Sequence, residues 1–268
     1  MQSLAYATPT ERPRPLLVLA AAAAALLALC LLWGLLETRT IDGVPVWHKP
    51  AKFAGSFVAT FGTLALLESR LSRPWAEGWV LRGTTAVMAA AFLAEMAWMT
   101  FQAARAEASH FNVSTPLHGF MYRQVMGTGA VLLVLGIGIF GWAALRDRAA
   151  DLSPALRRAA GLGHVLAFVL TLAVAGYMSA GTGAMVGTPG PEARVLPGLG
   201  WSASVGDLRP AHFLALHTMQ VLPLYALWRE RSGRTARPGE MTLAALAWAA
   251  LTLGVFAQAL LGLPLVRL

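Results

Sequence analysis

Seven long apolar stretches run through this chain, at about 16–36, 53–69, 84–104, 124–145, 160–181, 210–228 and 241–263, and they leave little else to fold. A helix that crosses a bilayer needs roughly 20 apolar residues. The second and sixth stretches fall short of that and each has room to extend by a turn. Inside lipid such segments are helical, because every backbone N–H and C=O needs a partner within the segment. The rest of the composition agrees. Of 268 residues, 57% are hydrophobic and 13% are charged, where a soluble domain carries about 25% charged residues. The expected fold is all-α: a polytopic bundle of seven transmembrane helices forming one domain over 16–268. Residues 1–15 form a flexible tail.

The formal charge of +8 does not point to nucleic acid. Its basic residues are spread over the loops, and no run alternates them with aromatics. Their bias sets a topology instead. The N-terminal tail and the even-numbered loops hold 13 Lys and Arg, whereas the odd-numbered loops and the C-terminus hold 8. This predicts a multi-pass protein of a bacterial inner (cytoplasmic) membrane, with a cytoplasmic N-terminus and a periplasmic C-terminus. Cys30 is the single cysteine and lies within the first stretch, so no disulfide framework exists within one chain. Arg12 and Arg14 before an Ala/Leu run give the start the look of a signal peptide. The apolar stretch is longer than an h-region and no small-x-small site follows, so it is read as a retained first helix.

Depth, at about 1.5 Å per helical residue, sorts the polar residues. His48, His110 and His118 fall in outer loops. His212 and His217 fall in the outer half of the sixth stretch, and Gln220 falls near its middle. Glu95 lies near the midplane of the third stretch. His164 alone sits towards the cytoplasmic side. The two lysines of the chain, Lys49 and Lys52, also face outside. Ionisable groups within the bilayer are costly and mark function, which singles out Glu95 and His217.

Two chemistries follow. Neutral imidazole is a common ligand for transition metals and haem, so His110, His212 and His217 are candidate ligands for a metal ion or a single haem. His212 and His217 stand five apart, about 140° around a helix, so both cannot point at one small ion. Alternatively Trp47, Lys49, Lys52, Arg105, Asp207 and Arg209, above a floor of Glu95 and Gln220, surround a small anion or a lipid head group. The same Lys, Arg and Trp residues also suit simple interfacial anchoring. Asn112-Val113-Ser114 is formally a glycosylation sequon, but Asn112 reads better as a turn residue. A P-loop, a GxSxG elbow and a CxxC pair are all missing from the sequence, and the last stretch has no lysine for a retinal Schiff base.

The runs Trp47-x-Lys49-Pro50-x-Lys52-Phe53, Gln102-Ala103-Ala104-Arg105 with Ser109-His110-Phe111-Asn112, and Gly206-Asp207-Leu208-Arg209-x-x-His212-Phe213 with Leu216-His217 resemble those of an uncharacterised family of bacterial seven-span integral membrane proteins. The resemblance covers about 41–226 and implies a seven-span fold without an activity. Seven-helix membrane hydrolases of the alkaline ceramidase and adiponectin-receptor type also invite comparison. They hold zinc between histidines that include an H-x-x-x-H on the last helix, whereas the last stretch here has no histidine. Three readings stay open: a metal- or haem-binding protein, a receptor or carrier for a small anion or lipid head group, and a metal-assisted hydrolase or structural subunit with membrane-protein partners. The long fifth loop is placed to cover the outward-facing pocket.

Overall fold

The computed structural model describes residues 14–181, 183–190, 193–234 and 236–268, so the expected tail at 1–15 falls almost wholly outside them. Nine helices are described: α1 Pro15–Trp33, α2 His48–Glu68, α3 Arg73–Ala76, α4 Trp79–Ala104, α5 Pro116–Phe120, α6 Gly127–Arg146, α7 Pro154–Ala180, α8 Arg209–Arg231 and α9 Pro238–Leu260. Two small antiparallel pairs, β1 Thr40–Ile41 with β2 Val44–Pro45 and β3 Met185–Val186 with β4 Gly206–Asp207, decorate one end. Proline opens α1, α5, α7 and α9, where its missing N–H costs nothing. Ser153 and Thr115 cap α7 and α5 through their hydroxyls.

The helix starts differ from expectation at two places that matter. α2 begins at His48 rather than near 53, so Lys49, Pro50 and Lys52 lie in its first turns. The fourth stretch is a continuous run, Pro116–Arg146, in which Met121–Met126 widens into a π-helical turn between α5 and α6.

Among the described residues, six helices are long and apolar enough to cross a membrane: α1, α2, α4, Pro116–Arg146, α7 and α9. α8 has the length, at 23 residues, but His212, His217 and Gln220 interrupt its apolar run. Apolarity alone therefore supports six spans rather than seven. Large aliphatic side chains cover the outside: Leu66 is 72% exposed, Leu243 69% and Leu93 62%. Apolar surface on this scale needs a non-aqueous neighbour, and the chain is an integral membrane protein. Only 17% of the apolar windows of α1 and α9 is buried, against 50% for α2, α7 and Pro116–Arg146, so α1 and α9 flank the bundle.

The core has two lobes. Phe61, Leu64, Leu81, Met88, Phe92, Ile137 and Phe140 join α2, α4 and α6, with Leu16 and Ala23 of α1. Ala155, Ala159, Leu222, Ala226, Met241 and Ala245 join α7, α8 and α9. Small residues seal the lobes together. A Cβ on Gly141 of α6 would stand 2.7 Å from the His164 Cβ and 2.8 Å from the Gly161 carbonyl oxygen of α7, so only glycine permits this approach. The His164 Nδ1–H donates to the Ala160 carbonyl at 2.8 Å, which places this histidine in the packing of α7.

The long spans alternate in direction, with α5, the π turn and α6 running as one. One end of the bundle, here the hairpin end, carries β1–β2, the 105–115 connection and the long connection between α7 and α8. The opposite end carries the arginine-rich turns.

Candidate functional site

At the hairpin end the start of α2 faces the C-terminal half of α4 and the π turn. Trp47 lies flat over the end of α1. A Cβ on Gly34 would meet its indole at 2.6 Å, so this residue fixes the approach of α2 to α1. One turn on, Lys49 is half-buried and has no hydrogen-bond or ion-pair partner among the described residues. It lies within electrostatic reach of Glu95 on α4 and of His110. Glu95 is 4% exposed, and its Oε1 has no hydrogen-bond partner. Its side chain instead lies along α6, where a Cβ on Gly129 would stand 2.8 Å from that oxygen.

The 105–115 connection dips towards this pair because two non-glycine residues take left-handed backbone. Ala106 and Phe111 both have φ of 57°. Such residues cost about 1–3 kcal/mol each and gather where the chain must present a side chain in a fixed place. Asn112 completes the bend: its Oδ1 accepts from Ser114 N at 3.1 Å, and its Nδ2–H donates to the Ala108 carbonyl. This is a turn-building role. Between the two left-handed residues His110 is presented. Its ring stands 5.6 Å from Phe53 of α2 and 6.0 Å from Tyr122 of the π turn, and its Nδ1 is 3.0 Å from Ser109 Oγ. Burial, and then the Lys49 charge, push the His110 pKa down to about 3, so the ring is neutral at physiological pH. The buried Tyr122 hydroxyl has no partner either.

A second group sits beside the first, at the start of α8. Asp207 of β4 is buried and accepts from Arg209 Nη2 at 2.6 Å, from Arg209 Nε at 2.9 Å and from Ser202 N at 2.8 Å. This knot pins the α7–α8 connection to the top of α8. Lys52 reaches across to it, donating to the Leu199 carbonyl at 2.9 Å, and lies within electrostatic reach of Arg209 and His48. The long connection is thus drawn over α2, as its length suggested.

The remaining expected residues lie apart from these two groups. Arg105 pairs with Glu107 at 2.8 Å on the exposed surface, and that guanidinium is the main reason the Glu107 carboxyl sits below the usual range. Glu107 in turn binds His118 Nε2 at 3.0 Å and Gln102 Nε2 at 3.3 Å. Gln220 donates to Thr63 Oγ1 at 3.1 Å and bridges α8 to α2 in mid-bundle. His217 packs its ring 4.1 Å from Phe213. The described residues contain no group of three His, Cys, Asp or Glu side chains placed to hold a metal ion. The expected set of His110, His212 and His217 is therefore not assembled. His110 is committed to an aromatic stack, and His212 and His217 leave α8 about 140° apart.

Sequence reasoning overlooked Tyr122 and Phe53. Phe53 lies one turn beyond Lys49, and helical spacing would have paired them once α2 was started at His48. Tyr122 had no such signal, since a π turn, often found at functional sites, carries no side-chain signature.

The start of α2 and the knot before α8 thus bring together Lys49, Lys52 and Arg209, with Asp207 neutralising the last and Glu95 standing off from the first. Any remaining charge is positive, in a setting of low dielectric where it acts strongly on an anion. No protein-family model matches the chain, and neither a curated protein nor a solved structure is found to be similar to it.

Proposed function

We propose that this is a seven-span protein of a bacterial inner membrane that binds a small anionic group at its hairpin end, as a receptor or carrier. That group is either a free anion or a lipid head group. The observation that carries the reading is Lys49: a half-buried ammonium with no partner among the described residues, one turn from the only other lysine. A partly buried cation that makes no ion-pair contact is costly, and an anionic ligand offsets that cost. Lys52 and Arg209 supply the neighbouring positive field.

α8 serves as the seventh span in this reading. Two contacts tie its interior to neighbouring helices: Gln220 Nε2 donates to Thr63 on α2, and the Trp248 indole N–H of α9 donates to the Leu214 carbonyl. The arginine-rich turns at the opposite end support a cytoplasmic location for that end and the N-terminus. The site then faces the periplasm.

Thermal unfolding of the detergent-purified protein tests the proposal, with inorganic phosphate, propionate or phosphatidylglycerol added. An anion at 100 times its Kd stabilises by about 2.7 kcal/mol. The expected result is an upward shift that salt weakens and that Lys49→Met and Lys52→Ala abolish. Equal melting with and without every anion overturns the reading.

A further inference from the structure

A receptor for a simple anion needs cations alone, yet here a carboxylate is set against the lysine. Lys49 and Glu95 lie within electrostatic reach but form no ion pair. Direct contact would satisfy both, and the fold withholds it. Glu95 is drawn to the opposite wall, with its Cγ and Cδ 3.4 and 3.5 Å from where a Gly129 Cβ would be. Its Oε1 and the Tyr122 hydroxyl are both buried without a partner. A buried polar atom without a partner is costly, so a group that bonds to it is favoured. Phe53, His110 and Tyr122 stack in one aromatic series beside the pair, and aromatic faces attract ammonium groups.

We infer that the site takes an amphoteric ligand, whose carboxylate or phosphate meets Lys49 and whose ammonium meets Glu95 and the aromatic wall. This rests on the anion reading above and narrows it. The ligand class is a short aliphatic chain with an acid at one end and an amine at the other. It is available free in solution or as the head group of a zwitterionic phospholipid. The Tyr122 hydroxyl is a further partner for the acid oxygens.

The test is calorimetric titration of the detergent-purified full chain with phosphoethanolamine and β-alanine, each against its matched half-molecules: inorganic phosphate, propionate and ethylamine. The inference expects the amphoteric probes to bind at least about tenfold more tightly than the matched anions. Glu95→Gln, with an unchanged circular dichroism spectrum and melting point at or above that of the wild type, should bring the ratio of amphoteric to matched-anion affinity down to about one. Tyr122→Phe should reduce it several-fold. Equal affinity for β-alanine and propionate, or a Glu95→Gln variant that keeps the preference, overturns the inference while the anion reading stands. Absence of binding by every anionic and amphoteric probe removes both. Nanodiscs identify the source: phosphatidylethanolamine that displaces phosphoethanolamine where phosphatidylglycerol does not assigns the site to a lipid head group, and displacement by neither assigns it to the free compound.

Discussion

The two ends of the bundle treat their charges differently. At the opposite end the acidic groups near helix termini are engaged, with Glu68 at the end of α2 the exception among the described residues. Arg70 meets Asp151 at 2.9 Å, Asp147 accepts from Ser72 N at 2.6 Å, Arg73 meets Glu77 at 3.0 Å, and Glu240 is shared by Tyr225 and Arg229. Glu230 accepts from the Ser153 hydroxyl, which joins the turns before α7 and after α8. At the hairpin end a similar set of residues splits in two. Asp207 with Arg209, and Glu107 with Arg105, are as fully paired as anything opposite. Lys49, Glu95 and Tyr122 are not. The difference shows which polar groups hold the fold together and which are held in place by it. The paired ones stitch turn to turn, whereas the unpaired ones sit where α2, α4 and the π turn converge and contribute nothing to closure.

That contrast is open to challenge by mutation, and the largest effect is expected at a paired site. Asp207→Ala strands the Arg209 guanidinium, which is 35% exposed, and frees Ser202 N. It should cost about 3 kcal/mol, the low end for breaking a buried pair because part of Arg209 stays in water. A melting curve within a degree of wild type would refute it.

Gly141→Ala drives a methyl into α7 backbone and the His164 Cβ, which cannot give way. About 2 kcal/mol should be lost, in the range for overpacking a core. Gly129→Ala meets only the mobile end of Glu95 and should cost about 1 kcal/mol or less. Equal losses for the two glycines would deny that the Glu95 carboxyl is free of structural duty. Glu95→Gln removes an unpaired charge from a buried place, so stability should be unchanged or rise by a few tenths of a kcal/mol. This is the stability–function exchange seen where a site is kept strained for a ligand. A loss of 2 kcal/mol would show Glu95 to be a structural partner.

The smallest expected effect is a slope. Folding lowers the His110 pKa from 6.5 to about 3. As pH falls from about 6.5 towards 3 the unfolded chain takes up a proton that the folded chain refuses, so stability falls over that window. Above 6.5 the contribution is complete. His110→Asn should flatten this part of the stability–pH curve, read by chemical denaturation in detergent at stepped pH. An unchanged slope would mean that the ring is solvated.

Much of the scaffold was readable in advance. All seven apolar stretches became helices, since backbone satisfaction in lipid allows nothing else, and Pro50 fell in the first turn of its helix as its ring geometry suggests. The span count was harder. α8 carries two histidines and a glutamine in its interior, and hydropathy counts all three as polar although Gln220 reaches Thr63 of α2 rather than lipid. The site was legible in parts. Glu95 was named for being ionisable at depth and Lys49 for being one of two outward-facing lysines, both purely local properties. Their convergence with His110 depended on left-handed backbone at Ala106 and Phe111. Neither residue favours that conformation, and tertiary packing imposes it. The π turn was invisible for the same reason: it is a backbone register, not a composition. Arg105 was placed on the rim by depth alone, and depth does not reveal that Glu107, two residues away, already holds it.

The position of the lysines has a practical corollary. Lys49 and Lys52 are the chain's whole supply of side-chain primary amines, and they stand in the opening turns of one helix. An amine-selective acylating reagent thus becomes a site-directed label without any engineering. Applied from one side of sealed membranes, it reads sidedness by whether these two positions are modified. Applied to the purified protein, it reports by mass spectrometry the difference between an amine bonded to a carbonyl and one that is waiting for company.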